Sequence, residues 1–240
     1  MITRMQLMGM AAVVFVETLV TTWVAMRLPG RVPMHWNLAG EVDRYGSPWE
    51  LELLGPPTTL LVVGLVVGLP LIPRVGKALA RSGPMYGRIG LVVVACIAAI
   101  HLAVVLPIAR AYLPERDGPH GPVTADQIVS PMLVASGLLF MVLGNWMGKV
   151  RRNPVFGVRN TATMSSDVVW EGSQRFSSRL FVLLGLAVVV TAVLCPFWAS
   201  IGVLGIGTLL FCAVSHIYSW RVARAVRPPV AGDARVDARP

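Results

Sequence analysis

Charge is what this sequence has least of. Only 14% of its 240 residues are charged, against about 25% in an ordinary soluble domain. Lysine is nearly missing: Lys77 and Lys149 stand beside nineteen arginines. That scarcity excludes a water-soluble globule, a disordered chain and a coiled coil, which all need more polar surface. Cysteine is rare too. Cys96, Cys195 and Cys212 all fall inside apolar runs, which argues against a disulfide framework and for small packing residues. No Gly-rich phosphate loop, nucleophile elbow or paired-histidine metal helix occurs. The expectation is a protein that is not an enzyme and carries no cofactor and no metal.

What is present is apolar side chain, 55% of the total, with a mean hydropathy of +0.68. It is gathered into runs long enough to cross a bilayer, which takes about 20 residues at 1.5 Å each. Six segments qualify, at about 5–28, 53–72, 89–112, 128–148, 180–197 and 200–220. The fold class predicted is therefore all-α, a polytopic transmembrane bundle of about six spanning helices. The first segment is too long for a signal-peptide core and lacks a small-x-small cleavage site, so it is expected to stay as a helix. The last two are parted only by the Cys195-Pro196-Phe197-Trp198 region, which predicts a tight hairpin. No internal repeat suggests the inverted halves of a transporter. The tail, rich in Pro, Ala and Arg, is expected to be disordered.

The formal net charge is +9 and the isoelectric point about 10.5. In a soluble chain that balance would suggest nucleic acid. Here its distribution points to the positive-inside rule instead. Sixteen of the 21 Lys and Arg residues fall on one side of the predicted spans. They are Arg4, the Arg74/Lys77/Arg81/Arg88 group, Lys149, Arg151, Arg152, Arg159, Arg175 and Arg179, and Arg221, Arg224, Arg227, Arg235 and Arg239 of the tail. Arg27, Arg31, Arg44, Arg110 and Arg116 make up the other side. Both termini are thus expected in the cytoplasm, with no nucleic-acid partner. The preference for Arg, with abundant Ala, Val and Gly, is that of a GC-rich bacterial genome, so the membrane expected is the bacterial cytoplasmic one.

Two connecting segments hold most of the polar and turn residues. The outer one, residues 28–48, carries Pro29 and Pro33, which favour an extended start, and Gly40 and Gly46, which permit turns. Met34, Trp36 and Tyr45 suit a membrane interface. His35, Glu41 and Asp43, with His120 from the next outer loop, are metal-ligand types, but their spacing fits no known zinc pattern. The bland reading is a loop folded over the helix ends. The inner segment, residues 153–176, opens on the turn starter Asn153-Pro154. Ser165 or Ser166 can cap a helix whose first turn carries Asp167 and Glu171. Val169, Phe176 and Leu180 share one face. Here the bland reading is an amphipathic interfacial helix, with Arg175 and Arg179 near lipid phosphates. The functional one is a cytoplasmic pocket with Arg159 as an anchor for an anion or a peptide.

Polar groups inside the spans complete the candidates. An acidic residue at the bilayer centre costs about 2.5–3.5 kcal/mol on insertion scales, so Glu17 should face the bundle interior, with Thr21 one turn on along the same face. Its expected partners are Thr21, His101 or His216. Glu17 is either a structural hydrogen-bonder or a proton or ligand site. His101 has apolar neighbours at i±3 and i±4, as a satisfied interior histidine would. His216 lies on a stripe with Gly205, Thr208, Cys212, Ser215 and Ser219, which suits close helix packing. The pairs Gly64/Gly68 and Gly144/Gly148 would also allow backbones to approach.

Both connecting segments resemble those of the SdpI family of bacterial membrane proteins. The outer stretch Val32-Pro33-x-His35-x-Asn37-x-x-Gly40-Glu41-x-Asp43-Arg44-Tyr45-Gly46 is similar to the domain of unknown function at that family's N-terminus. The inner stretch Asn153-x-x-Phe156-Gly157-Val158-Arg159, followed by Ser166-Asp167-x-x-Trp170, is similar to the signature of its C-terminal half. The resemblance covers about the first 220 residues. It implies an N-terminal domain over 1–80, an SdpI-like membrane region over 81–222 and a cytoplasmic tail over 223–240. It also implies immunity to a membrane-active peptide, with a signalling role. The partners implied are the bilayer, a peptide toxin or envelope ligand outside, and a regulatory protein inside. Ligand contacts would then fall to His35, Asn37, Gly40, Glu41 and Asp43 outside, and to Asn153, Phe156, Gly157, Arg159, Asp167 and Trp170 inside. The sequence departs from the family at Ser173-Gln174, where Thr-His is frequent. Two other classes stay open: a proton-coupled transporter using Glu17 and His101, and a membrane enzyme acting on a lipid or envelope precursor at the His35 loop.

Overall fold

A computed structural model describes residues 2–37, 39–113 and 123–226. Helix α1 (Arg4–Ala25) begins at a capping box: Thr3 Oγ1 accepts from the Gln6 amide and Gln6 Oε1 from the Thr3 amide. Strands β1 (Val32–Trp36) and β2 (Val42–Gly46) follow, then α2 (Trp49–Gly68) and a short 3₁₀ turn at Leu69–Leu71. A brief α3 (Pro73–Ala80) leads to α4 (Met85–Tyr112) and α5 (Ala125–Met147). The five-residue α6 (Thr161–Ser165) precedes the long α7 (Asp167–Leu194) and α8 (Phe197–Val226). Six of these, α1, α2, α4, α5, α7 and α8, are long and apolar enough to cross a membrane, as the sequence predicts. The fold is an all-α polytopic bundle with one added hairpin.

The six spans form two groups. Helices α1, α2 and α4 pack on one another, α5, α7 and α8 do the same, and α4 against α5 joins the groups. Little of each span is buried in protein, least of all in α8. Side chains such as Phe15, Leu61, Leu194 and Leu209 point outward, as lipid-facing positions require.

Three details differ from the sequence-based reading. First, the outer segment is an antiparallel β-hairpin, with Val32 opposite Gly46 and Trp36 opposite Val42. Pro33, which favours an extended chain but offers no N–H to a ladder, sits in a short, irregular pairing. Gly40 takes the turn with φ +82°, whereas Gly46 stays out of that region. Second, beyond the single turn of α6, the inner segment's Asp167–Arg179 stretch is not a separate interfacial helix but the start of α7 itself. Ser166 Oγ caps α7 by accepting from the Val168 amide, and the helix then runs unbroken into the membrane. Nothing between Asp167 and Leu180 stops it, since extending a helix needs no new nucleus. At about 1.5 Å per residue, 28 residues span about 42 Å, so the first turns stand clear of a ~30 Å hydrocarbon layer. Third, α8 continues to Val226, so the first residues of the expected disordered tail are helical. The rest of that tail lies outside the described residues.

Candidate functional site

The polar residues singled out above gather at three levels of the bundle. Within the membrane, Glu17 on α1 is completely buried, and its Oε1 lies 2.9 Å from His101 Nδ1 on α4. Thr21 shares the face, yet its hydroxyl donates to the Glu17 backbone carbonyl at 2.8 Å rather than to the carboxyl. His216 stands elsewhere, in the second helix group. The sequence reading overlooked Gly55. A Cβ there would sit 2.0 Å from His101 Cε1, so α2 can approach the imidazole only as bare backbone. A glycine followed by Pro56-Pro57 within an apolar run is the signal that could have found it.

At the hairpin end, Val32 is buried in one core with Val24, Leu28, Leu51, Val105, Ile108, Val123 and Ile128, and Met34 and Trp36 pack against it. The Trp36 indole donates to the Val123 carbonyl at 2.9 Å. Asn37 and Glu41 close the turn through side-chain and backbone bonds. The Gly40 backbone rests near Ala125 of α5 and Phe197 of α8. The exposed face carries His35, with Nδ1 2.6 Å from Asp43 Oδ1, and Arg44, which donates to Glu50 at 2.8 Å. Among the described residues no group of three or more His, Cys, Asp or Glu side chains could hold a metal ion. His120, the fourth candidate ligand, lies outside them.

At the opposite end the inner segment is a knot. Asn153 is buried; its Oδ1 accepts from the Val155 and Phe156 amides and its Nδ2 donates to the Arg151 and Phe156 carbonyls. Gly157 takes φ +105°, and beside it Gln174 bonds both ways with the backbone of Val158, at 3.0 and 2.9 Å. Trp170 is buried and donates to the Val150 carbonyl at 2.8 Å. Arg159 is exposed and donates to the Pro154 carbonyl. Asp167 pairs with Arg152, and Glu171 with Arg151 and Arg175. Asn160, which caps α6, ties this knot to α8 through Ser219 at 2.7 Å and His216 at 3.3 Å.

Residues 149–219, which contain the knot, match the model of the SdpI/YfhL protein family. Residues 12–63, which contain Glu17 and the hairpin, match the Domain of unknown function (DUF1648). The chain is an integral membrane protein of SdpI type, with an SdpI/YfhL family region over residues 149–219. No curated protein and no solved structure matches it. In this SdpI-type chain the departure at Ser173-Gln174 has a structural counterpart. The Gln174 amide carries a donor and an acceptor on one flat group, which suits the paired N–H and C=O of Val158. Of the two partners in the membrane, Glu17 falls within a matched segment and His101 between the two.

Proposed function

We propose that this SdpI-type protein protects a bacterial cytoplasmic membrane against a membrane-active peptide or envelope ligand, or senses one, without catalysing a reaction. In this reading the hairpin faces outward and receives the ligand through the exposed His35–Asp43 and Arg44–Glu50 pairs. The inner knot faces the cytoplasm, where Arg159 and Asp167 are exposed to meet a regulatory protein. The observation that carries it is the seating of the hairpin. It shares a core with α1, α4 and α5 and reaches the start of α8, so a ligand that displaces it bears on both helix groups together. An exposed, charged face on a rigid, apolar base is what a receiving surface needs. The experiment is deletion and overexpression in the native host, followed by a screen against envelope-active peptides. Deletion should sensitise the cells to at least one such peptide, and overexpression should protect them.

A further inference from the structure

The Glu17–His101 pair has more hydrogen-bonding capacity than its surroundings use. Glu17 Oε2 and His101 Nε2 are both buried without a partner among the described residues. Hydrocarbon offers such atoms nothing, and a purely structural pair would be expected to leave neither open. The protons can be counted. One proton lies in the hydrogen bond between Nδ1 and Oε1, and with it alone the pair carries one negative charge. A second proton, which makes the pair neutral, can sit only on Oε2 or on Nε2. Those are the two open atoms.

Helix α2 supplies a way in. Pro56 and Pro57 lack an N–H, so the carbonyls of Glu52 and Leu53 cannot receive their usual helical bonds. Both residues line a crevice of about 430 Å³ between α1 and α2, together with Thr18, which follows Glu17 in the chain. Glu52 Oε2 is likewise buried without a partner. Unpaired carbonyls at membrane depth are tolerated where they line water. The hairpin end is also the shorter way out of the bilayer. At 1.5 Å per residue Glu17 is about 12 Å from that end of α1 and about 20 Å from the other.

Other titratable groups on the packed helices are engaged elsewhere or stand at their ends. On α4, the Cys96 thiol donates to Ala135 of α5 and Tyr86 to the Val66 carbonyl. Arg88, Arg110 and Tyr112 lie near the ends of α4, and Arg4 lies at the far end of α1. On α2, Glu50 pairs with Arg44 and Glu52 lines the crevice.

We propose that Glu17 and His101 form a proton-exchange site inside the membrane, loaded from water at the hairpin end through the α1/α2 crevice past Glu52. The proton arrives from water, occupies Oε2 or Nε2, and leaves by the same route. The proposal goes beyond the protective role and does not depend on it.

The test uses the full chain in lipid vesicles, with ¹⁵N-labelled histidine and the His101 signal identified by its loss in His101→Gln. The His101 ring-nitrogen shifts should respond to the pH of the surrounding water, and Glu17→Gln should abolish or displace that response. In a background without native cysteines, Thr18→Cys should react with a membrane-impermeant thiol reagent, whereas the lipid-facing Leu19→Cys should not. A His101 signal that is constant with pH, a pH response unchanged in Glu17→Gln, or a Thr18→Cys as inert as Leu19→Cys would each overturn the proposal.

Discussion

Glu17 and Asn153 are both polar side chains buried by the fold, and they are satisfied in opposite ways. Asn153 uses both ends of its amide on four backbone groups of its own loop. Glu17 uses one oxygen on one histidine. Removing either leaves buried polar atoms stranded, but the reference states differ. For Asn153→Ala, outside the membrane, the orphaned amides and carbonyls should cost about 1–3 kcal/mol. For Glu17→Ala the loss should be nearer 1–2 kcal/mol, because the unfolded helix stays in lipid and finds other partners. Glu17→Gln keeps a hydrogen bond to His101 and should lose less than Glu17→Ala. Thermal unfolding in detergent ranks the three variants, and a Glu17→Gln protein less stable than Glu17→Ala would contradict the pairing with His101. Gly55→Ala is the companion test. Its methyl group would strike the imidazole ring, so the variant should lose stability through overpacking, by about 1–3 kcal/mol, although alanine favours helix.

Among the elements, helix α7 carries most of the second group, and glycine decides how it sits. A Cβ on Gly185 would lie 2.5 Å from the Gly137 carbonyl oxygen, and a Cβ on Gly137 2.7 Å from that of Gly185. Gly144 is pressed almost as closely, with a Cβ there 2.8 Å from Val182 and 3.0 Å from the Ser178 carbonyl oxygen. The spacing rule singled out Gly144, but it also singled out Gly64 and Gly68, around which there is open space. A glycine pair permits close approach without enforcing it, and only the partner helix, invisible to a spacing rule, tells the two cases apart. Gly185→Leu should therefore separate α5 from α7 and abolish a cooperative unfolding transition, while Gly64→Leu should leave it in place. Equal effects would contradict this packing. Gln174 shows a second limit. Its neighbour in space is Val158, sixteen residues earlier, so no local pattern reveals the bond. Gln174→Ala should cost about 1–3 kcal/mol through two lost partners. Gln174→His should recover part of that, because an imidazole cannot meet both groups of one residue in plane. Amide exchange at Val158 reads the difference.

On the scale of the whole molecule, the spans were legible because a bilayer imposes one simple demand, about twenty apolar residues. Glu17 was legible because an acid in such a run needs a reason. Its choice of His101 over His216 was not, since it depends on which helices become neighbours. The hairpin and the knot were recognised by motif, but their geometry depends on contacts that cross the chain, Trp36 to Val123 and Asn160 to Ser219. The arrangement of charge carries a prediction at this scale. With basic residues concentrated away from the hairpin, the hairpin should face outward. In a cysteine-free background an impermeant label added to intact cells should modify Ala39→Cys but neither Ser82→Cys nor Ser165→Cys, and the reverse pattern would overturn the orientation.

The proposed protection rests on an outward hairpin seated on both helix groups. The most direct measurement is survival of the deletion strain under an envelope-active peptide that kills it, complemented with three versions of the protein at matched membrane levels. The intact protein should restore survival. A hairpin variant, His35→Ala with Asp43→Ala, leaves the buried Val32 and Trp36 contacts untouched and should fail to restore it. Arg159→Lys keeps the charge but not the planar, multidentate guanidinium, and should restore it only in part. Full protection by the hairpin variant, or a deletion strain no more sensitive than its parent to any peptide tested, would overturn the protective role.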